Sequence, residues 1–293
     1  MIFRVFMMLA MLCLTAATGF AEEKKVNKIE DNSFLLEEAY NQEAGVIQHI
    51  QSFQYNARNK SWAYTFVQEW PVPGQTHQFS YNIPVFRLTE DGDRTGLGDV
   101  QLNYRYQLVM KEDLVAVAPR LSLLLPTGNY RKDFGRGNPG FQTNIPMSLT
   151  LSEKFVTHWN AGLTAVPWAR GANGGTAHTV DFNAGASIIW LLQESFNLMF
   201  ETAWNTNTPV TPDGAAFREH SLFLNPGFRS ALNFENGLQV VYGLSFPIGV
   251  GPSRGDYGVL FYLSFEHPLP ALYGKKAMEN APSFTTKTEE SES

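Results

Sequence analysis

The sequence predicts an all-β fold: an antiparallel transmembrane β-barrel of about twelve strands with both termini periplasmic. Three observations carry this. A secretory leader is followed by no apolar run of helix length, several segments alternate strictly with a period of two, and the connections between segments alternate between short and long.

The leader comes first. Met1-Ile-Phe-Arg4 supplies one positive charge, Val5 to Leu14 is apolar, and Thr15 to Ala21 is small-residue rich, ending Gly19-Phe20-Ala21. That is the charge, hydrophobic core and cleavage-site order of a signal peptide, so residues 1–21 are expected to be removed. The apolar core is too short to span about 30 Å of hydrocarbon as an anchor. No lipobox surrounds Cys13, which follows Ala10-Met11-Leu12. Because Cys13 is the one cysteine, the mature chain is expected to hold neither disulfide nor thiol, which removes cysteine catalysis and cysteine metal sites. Loss of Arg4 takes the formal charge from −6 to −7, which gives no reason to expect nucleic acid as a partner.

Beyond the leader, the longest apolar stretches are fragments such as Ala186-Ser-Ile-Ile-Trp-Leu-Leu192. A helical membrane protein is therefore excluded. Yet the chain carries 22 Phe, 11 Tyr, 6 Trp and 24 Gly, with only 17% charged residues. A barrel wall that alternates faces reconciles the two, since averaging hides its apolar side.

The alternation is clearest in Val100-Gln-Leu-Asn-Tyr-Arg-Tyr-Gln-Leu108: Val100, Leu102, Tyr104, Tyr106 and Leu108 share one face, and Gln101, Asn103, Arg105 and Gln107 the other. No helix places residues so. Phe196, Leu198, Phe200 and Trp204 alternate with Asn197, Met199, Glu201 and Asn205; Leu238 to Phe246 and Val259 to Glu266 repeat the pattern. A soluble sandwich also alternates, but its bulky faces meet in one core. Here each bulky face carries aromatics near segment ends, where interfacial girdles belong.

Twelve segments are expected, at 44–55, 60–70, 76–88, 97–109, 113–126, 139–151, 154–167, 177–191, 195–205, 217–231, 237–249 and 257–267. An even number is what bacterial single-chain barrels show. Tight connections follow segments two, four, six, eight and ten, for example Ser152-Glu153; longer ones rich in Gly, Asp, Asn and Pro follow three, five, seven, nine and eleven, for example Thr127 to Pro139. Short periplasmic turns and longer outer loops produce this rhythm, which only the hairpin at Asn56 to Lys60 breaks. The barrel thus occupies 44–267. The charged stretch 22–43 is a periplasmic N-terminal segment or a plug: with its Phe34-Leu-Leu-Glu-Glu-Ala-Tyr40 it reads as a disordered lead-in or a short amphipathic helix, both preferred to the third reading, an arm tucked into the lumen. Residues 268–293 end Glu-Glu-Ser-Glu-Ser and read as a polar tail.

His49, His77, His158, His178, His220 and His267 scatter around the barrel with no His-x-x-x-His pair, so no metal and no cofactor is expected. His158 and Asn160 share a face, as two members of a hydrolytic constellation would, but no His is followed two residues later by Ser. The chain is therefore read as not an enzyme, with a lipid-modifying enzyme the third choice. Gly96-Leu-Gly98 and Gly135-Arg-Gly137 are turn glycines, since neither completes a phosphate-loop pattern.

The polar faces remain. Gln101, Asn103, Arg105, Gln107, Arg120, Asp181, Asn183, Glu201, Asn205 and Arg229 are the candidate lumen-lining residues. They line either a solvated pathway or a packed, closed interior. Arg105 and Arg120 are the candidates for tuning ion preference.

Several stretches resemble a family of outer-membrane proteins called the meta-pathway of phenol degradation family, or simply transporters. The residues are Glu37-Glu-Ala-Tyr-Asn-Gln-Glu43, Gly96-Leu-Gly-Asp-Val-Gln-Leu-Asn-Tyr-Arg-Tyr-Gln107, Leu125-Pro-Thr-Gly-Asn-Tyr130, His158-Trp-Asn-Ala-Gly162 and Asn225-Pro-Gly227. The resemblance implies a barrel in the bacterial outer membrane that passes small aromatic or hydrophobic compounds; it carries over no site residues. The expected partners are outer-membrane lipid, the barrel-assembly machinery and a small solute. The alternative is a closed structural or adhesion barrel that acts through outer loops such as Thr127 to Pro139, with Arg131, Lys132, Asp133 and Arg136.

Overall fold

The computed structural model describes residues 29, 33–90, 92–111 and 114–268. The leader, most of 22–32 and the tail beyond Pro268 lie outside them.

Sixteen hydrogen-bonded segments form one antiparallel sheet: β1 (Val46–Asn56), β2 (Trp62–Gly74), β3 (His77–Leu88), β4 (Arg94–Leu97), β5 (Val100–Tyr106), β6 (Val109–Lys111), β7 (Val115–Val117), β8 (Arg120–Leu125), β9 (Gly140–Ser152), β10 (Phe155–Arg170), β11 (Thr176–Gln193), β12 (Phe196–Asn207), β13 (Glu219–Asn233), β14 (Gln239–Ser245), β15 (Ile248–Gly249) and β16 (Gly258–Pro268). Four of these continue the segment before them, which leaves twelve staves. β4 and β5 both pair with β3, broken at Gly98-Asp99, with β6 beyond; β7 and β8 both pair with β9; β14 and β15 both pair with β13. Two of the breaks fall at Pro119 and Pro247, where a missing N–H interrupts the ladder. The sheet closes where β1 meets β16, from Val46 opposite Pro268 to Asn56 opposite Gly258. Closure leaves no edge strand, the condition for surviving in lipid.

Alternation sorts the two faces. Leu102, Leu121, Phe141, Ile145, Trp159, Ile188, Trp190, Phe200 and Phe261 are exposed on the outside. Their neighbours Asn103, Ser122, Asn144, His158, Asn160, Ser187, Glu201 and Leu260 are buried inside. A wall that is apolar outside and polar inside is inverted relative to a soluble protein, so its proper solvent on the outside is hydrocarbon. This is an outer-membrane β-barrel. The tight turns gather at one end and the longer loops at the other, the short β1–β2 hairpin at 57–61 excepted, and the described chain enters β1 and leaves β16 at the tight-turn end.

Candidate functional site

The interior is occupied. Residues 33–43 run as non-helical chain across the lumen, from the β12–β14 side to the β3 side. The sequence favours an amphipathic helix or a disordered lead-in here; the stretch is instead irregular chain bonded to the inner wall. The physical reason is hydrogen bonding: a chain without helix or sheet partners needs acceptors for its N–H groups, and the wall supplies them. Glu201 accepts from the N–H of Phe34 (3.0 Å) and Leu35 (3.2 Å). Asn160 Oδ1 accepts from Glu37 (3.0 Å), Ser148 Oγ from Ala39 (2.8 Å), Gln107 Oε1 from Asn41 (2.9 Å) and Gln78 Oε1 from Gln42 (2.7 Å).

The arm's carbonyls are met as well. Arg105 donates to the Glu38 carbonyl (3.2 Å), the Tyr40 carbonyl (2.5 Å) and Asn41 Oδ1 (2.8 Å). Asn160 Nδ2 donates back to the Glu37 carbonyl (2.7 Å). Arg120 grips the Glu37 carboxylate with two bonds (3.0 and 2.7 Å), the parallel fork that guanidinium and carboxylate favour. Where the arm joins the wall, burial raises the Glu43 carboxyl above its ordinary range.

Side chains of the arm fit sockets in the wall. The Phe34 ring stands edge-on to Tyr262 at 6.2 Å, and the Arg229 guanidinium lies 4.7 Å from Phe34 and 3.5 Å from Tyr262. Gly243 opens this socket: a Cβ there would fall 2.9 Å from Phe34 and 2.7 Å from Arg229 Cγ. Likewise a Cβ on Gly185 would collide with Leu36. Ala39 is fully buried against Ala116 and Ala118.

Between the arm and the long-loop end lies a chamber of about 380 Å³. Leu35, Leu36 and Glu37 form its floor; Gln101, Gln142, Asn144, Asn183 and Asn205 are among its walls. The β8–β9 loop folds over its rim rather than away from the barrel. Asp99 accepts from the N–H of Gly128 (2.9 Å) and Arg136 (2.7 Å), Phe134 is buried, and Arg94 pairs with Asp133 (2.8 Å). From this base Arg136 reaches Asp181 on β11 (3.2 Å), Asn207 Oδ1 (2.6 Å) and the Thr208 carbonyl (2.8 Å).

The ten candidates all lie on the polar face, nine of them in two groups and Asn103 apart. Arg105, Gln107, Arg120, Glu201 and Arg229 contact the arm, while Gln101, Asn183, Asn205 and Asp181 line the chamber along with Arg120. Asn103 braces the wall between Ser80 (3.1 Å) and Arg120 (2.8 Å). Sequence reasoning did not single out Gln78, Gln142, Asn144, Ser148 or Arg136 for the interior. It also sought a Ser beside a His along one strand, whereas His158 meets Ser148 across the β9–β10 pair, Nδ1 to Oγ at 2.7 Å. The arrangement differs from a hydrolytic triad. The hydroxyl faces Nδ1, both side chains are fully buried, and Asn160 is bonded to Asn144 (2.8 Å) and Glu37 rather than to the imidazole.

No curated protein matches the chain. Among solved structures it is similar to the NanC porin (8% identity, covering 75% of this chain and 98% of that one, TM-score 0.49). It is also similar to the KdgM porin (5%, 76% and 98%, TM-score 0.45) and to the outer membrane channel DcaP of Acinetobacter baumannii (8%, 78% and 99%, TM-score 0.31). The family model described as "Putative MetA-pathway of phenol degradation" matches residues 36–249, from inside the arm to the end of β15, and the chain belongs to that family.

Proposed function

We propose that the protein is a passive outer-membrane channel for small solutes, aromatic compounds among them, closed at rest by residues 33–43. One observation carries this reading. Among the described residues the obstruction is one arm, held to the wall chiefly by side-chain bonds and not woven into the sheet, so it can leave without breaking the barrel. A barrel built only for rigidity fills its interior with wall side chains packed on one another. Here the wall instead carries acceptors and sockets for the arm, and a chamber lined mainly by polar side chains lies above it. The family description, with its phenol pathway, supports aromatic compounds as part of the solute range. The reading is non-enzymatic: the Ser148–His158 pair serves to hold Ala39.

Liposome swelling tests it, with graded sugars and small aromatic acids, on residues 22–293 and on a barrel lacking 22–43. The truncated barrel should admit solutes with a rate that falls with size, and the longer chain should admit them far more slowly. A truncated barrel that folds, by its heat-sensitive gel mobility, yet passes no solute would sink the proposal.

A further inference from the structure

The chamber above the arm has a distinct chemical character. Four charged groups line it, and they neutralise one another in pairs: Arg120 with Glu37 (2.7 Å) and Arg136 with Asp181 (3.2 Å). Arg120 has five N–H donors, and all are engaged, by Glu37 twice, Asn103, Ser122 and Gln142. An incoming anion finds no donor there, and at Arg136 it meets the Asp181 carboxylate already in place. An incoming cation finds both carboxylates held by guanidinium groups.

Amides make up most of the remaining polar lining. Among the described residues the Gln101 and Asn205 side chains hold no hydrogen bond, although both line the chamber. Each offers one acceptor oxygen and two donor hydrogens. The lining also includes the apolar side chains of Leu35, Leu36, Leu124 and Ala203, with Leu124 beside Gln101 across the β5–β8 pair and Ala203 two residues from Asn205 on β12. At about 380 Å³ the space sits at the low end of the roughly 300–1,000 Å³ typical of small-molecule sites.

Building on the channel reading, we propose that this chamber is a recognition site for a small neutral solute bearing several hydroxyl groups, with Gln101 and Asn205 as its direct hydrogen-bonding contacts. A hydroxyl both donates and accepts, which matches an amide, and neutrality matches a lining whose charges are already paired. A charged solute must shed its hydration shell with no opposite charge to replace it, and that cost is what discriminates.

Sorbitol and gluconate test this, being alike in size and hydroxyl content but differing by one carboxylate. Equilibrium dialysis of residues 22–293 in lipid nanodiscs should show saturable sorbitol binding, with gluconate at least about tenfold weaker. The double variant Gln101→Leu, Asn205→Leu should weaken sorbitol by about tenfold or more, as loss of two hydrogen bonds of about 1 kcal/mol each implies. Gluconate binding as tightly as sorbitol, no sorbitol binding, or full binding by the double variant overturns the proposal. If the double variant does not fold, the sorbitol–gluconate ratio on the unaltered protein still decides. Failure here leaves the swelling of the arm-free barrel untouched, so the channel reading stands or falls separately.

Discussion

Arg105→Ala will release the arm and raise the permeability of the full mature chain toward that of the truncated barrel. Arg105 is 7% exposed and its guanidinium spans three arm acceptors, the carbonyls of Glu38 and Tyr40 and the side chain of Asn41. Truncation leaves those acceptors without their donor while the arm still covers them. Hydrogen bonds to a charged group contribute about 1.5–3 kcal/mol each, and they are not additive. Even about 3 kcal/mol moves the balance between seated and released arm by roughly a hundredfold. A glutamyl endopeptidase that cuts after Glu37 or Glu38 reads that balance, because cleavage requires the arm to be out and tracks its open population. Cleavage should rise by about that factor, and Arg105→Lys should restore only part of the protection, since an ammonium cannot span the same fork. Unchanged cleavage and unchanged swelling would show that Arg105 does not hold the arm.

The same residue marks where sequence reasoning ran out. Alternation alone places Arg105 and Arg120 on the polar face, and the structure has them there. The expectation that they tune ion preference assumed guanidinium groups facing open water. The Arg105 donors go instead to residues 38–41, and those of Arg120 to Glu37 and the wall residues Asn103, Ser122 and Gln142; the arm contacts among these span 64 to 83 residues of chain. No local pattern announces such contacts. Phe34-Leu-Leu-Glu-Glu-Ala-Tyr40 has the composition of an amphipathic helix, and the wall overrides that propensity with acceptors at successive positions. A subtler signal was present: Gly185 and Gly243 put hydrogen atoms where the inner face otherwise has side chains, and small residues in a strand mark close approach by another chain.

The barrel itself was far easier to read, because its cause is local. Each stave must turn alternate residues to lipid, so its periodicity is written within about ten residues. Even the discontinuities had visible causes, since Pro119 and Pro247 each interrupt a stave that the alternation alone runs straight through. The β8–β9 loop was the harder case. Its charges look like an outward contact surface, yet Arg136 turns inward to Asp181, because Asp99 holds the loop's backbone and Phe134 anchors it from below.

Glu201→Ala will have the largest effect of any single change at the far end of the arm. Glu201 is fully buried, and its two oxygens accept from Phe34 N–H, Leu35 N–H and Asn225 Nδ2 (2.7 Å). Removing a buried acceptor costs about 1–3 kcal/mol for each donor left unsatisfied, and Glu201 serves three. The arm is the only one of those partners free to move into water, so release is how the strain resolves. Glutamyl cleavage should therefore rise by a hundredfold or more, with swelling to match. Glu201→Gln keeps an acceptor and should fall between. Leu35→Pro removes one donor from the arm and leaves the wall intact, so it separates arm release from any failure of the barrel to fold. Combining Arg105→Ala with Glu201→Ala adds a sharper demand. The two act at opposite ends of one segment, and once either has freed it the other has little left to release. The double variant should then open barely further than the stronger single one. Full additivity would mean that the two ends detach independently and that residues 33–43 do not act as one plug.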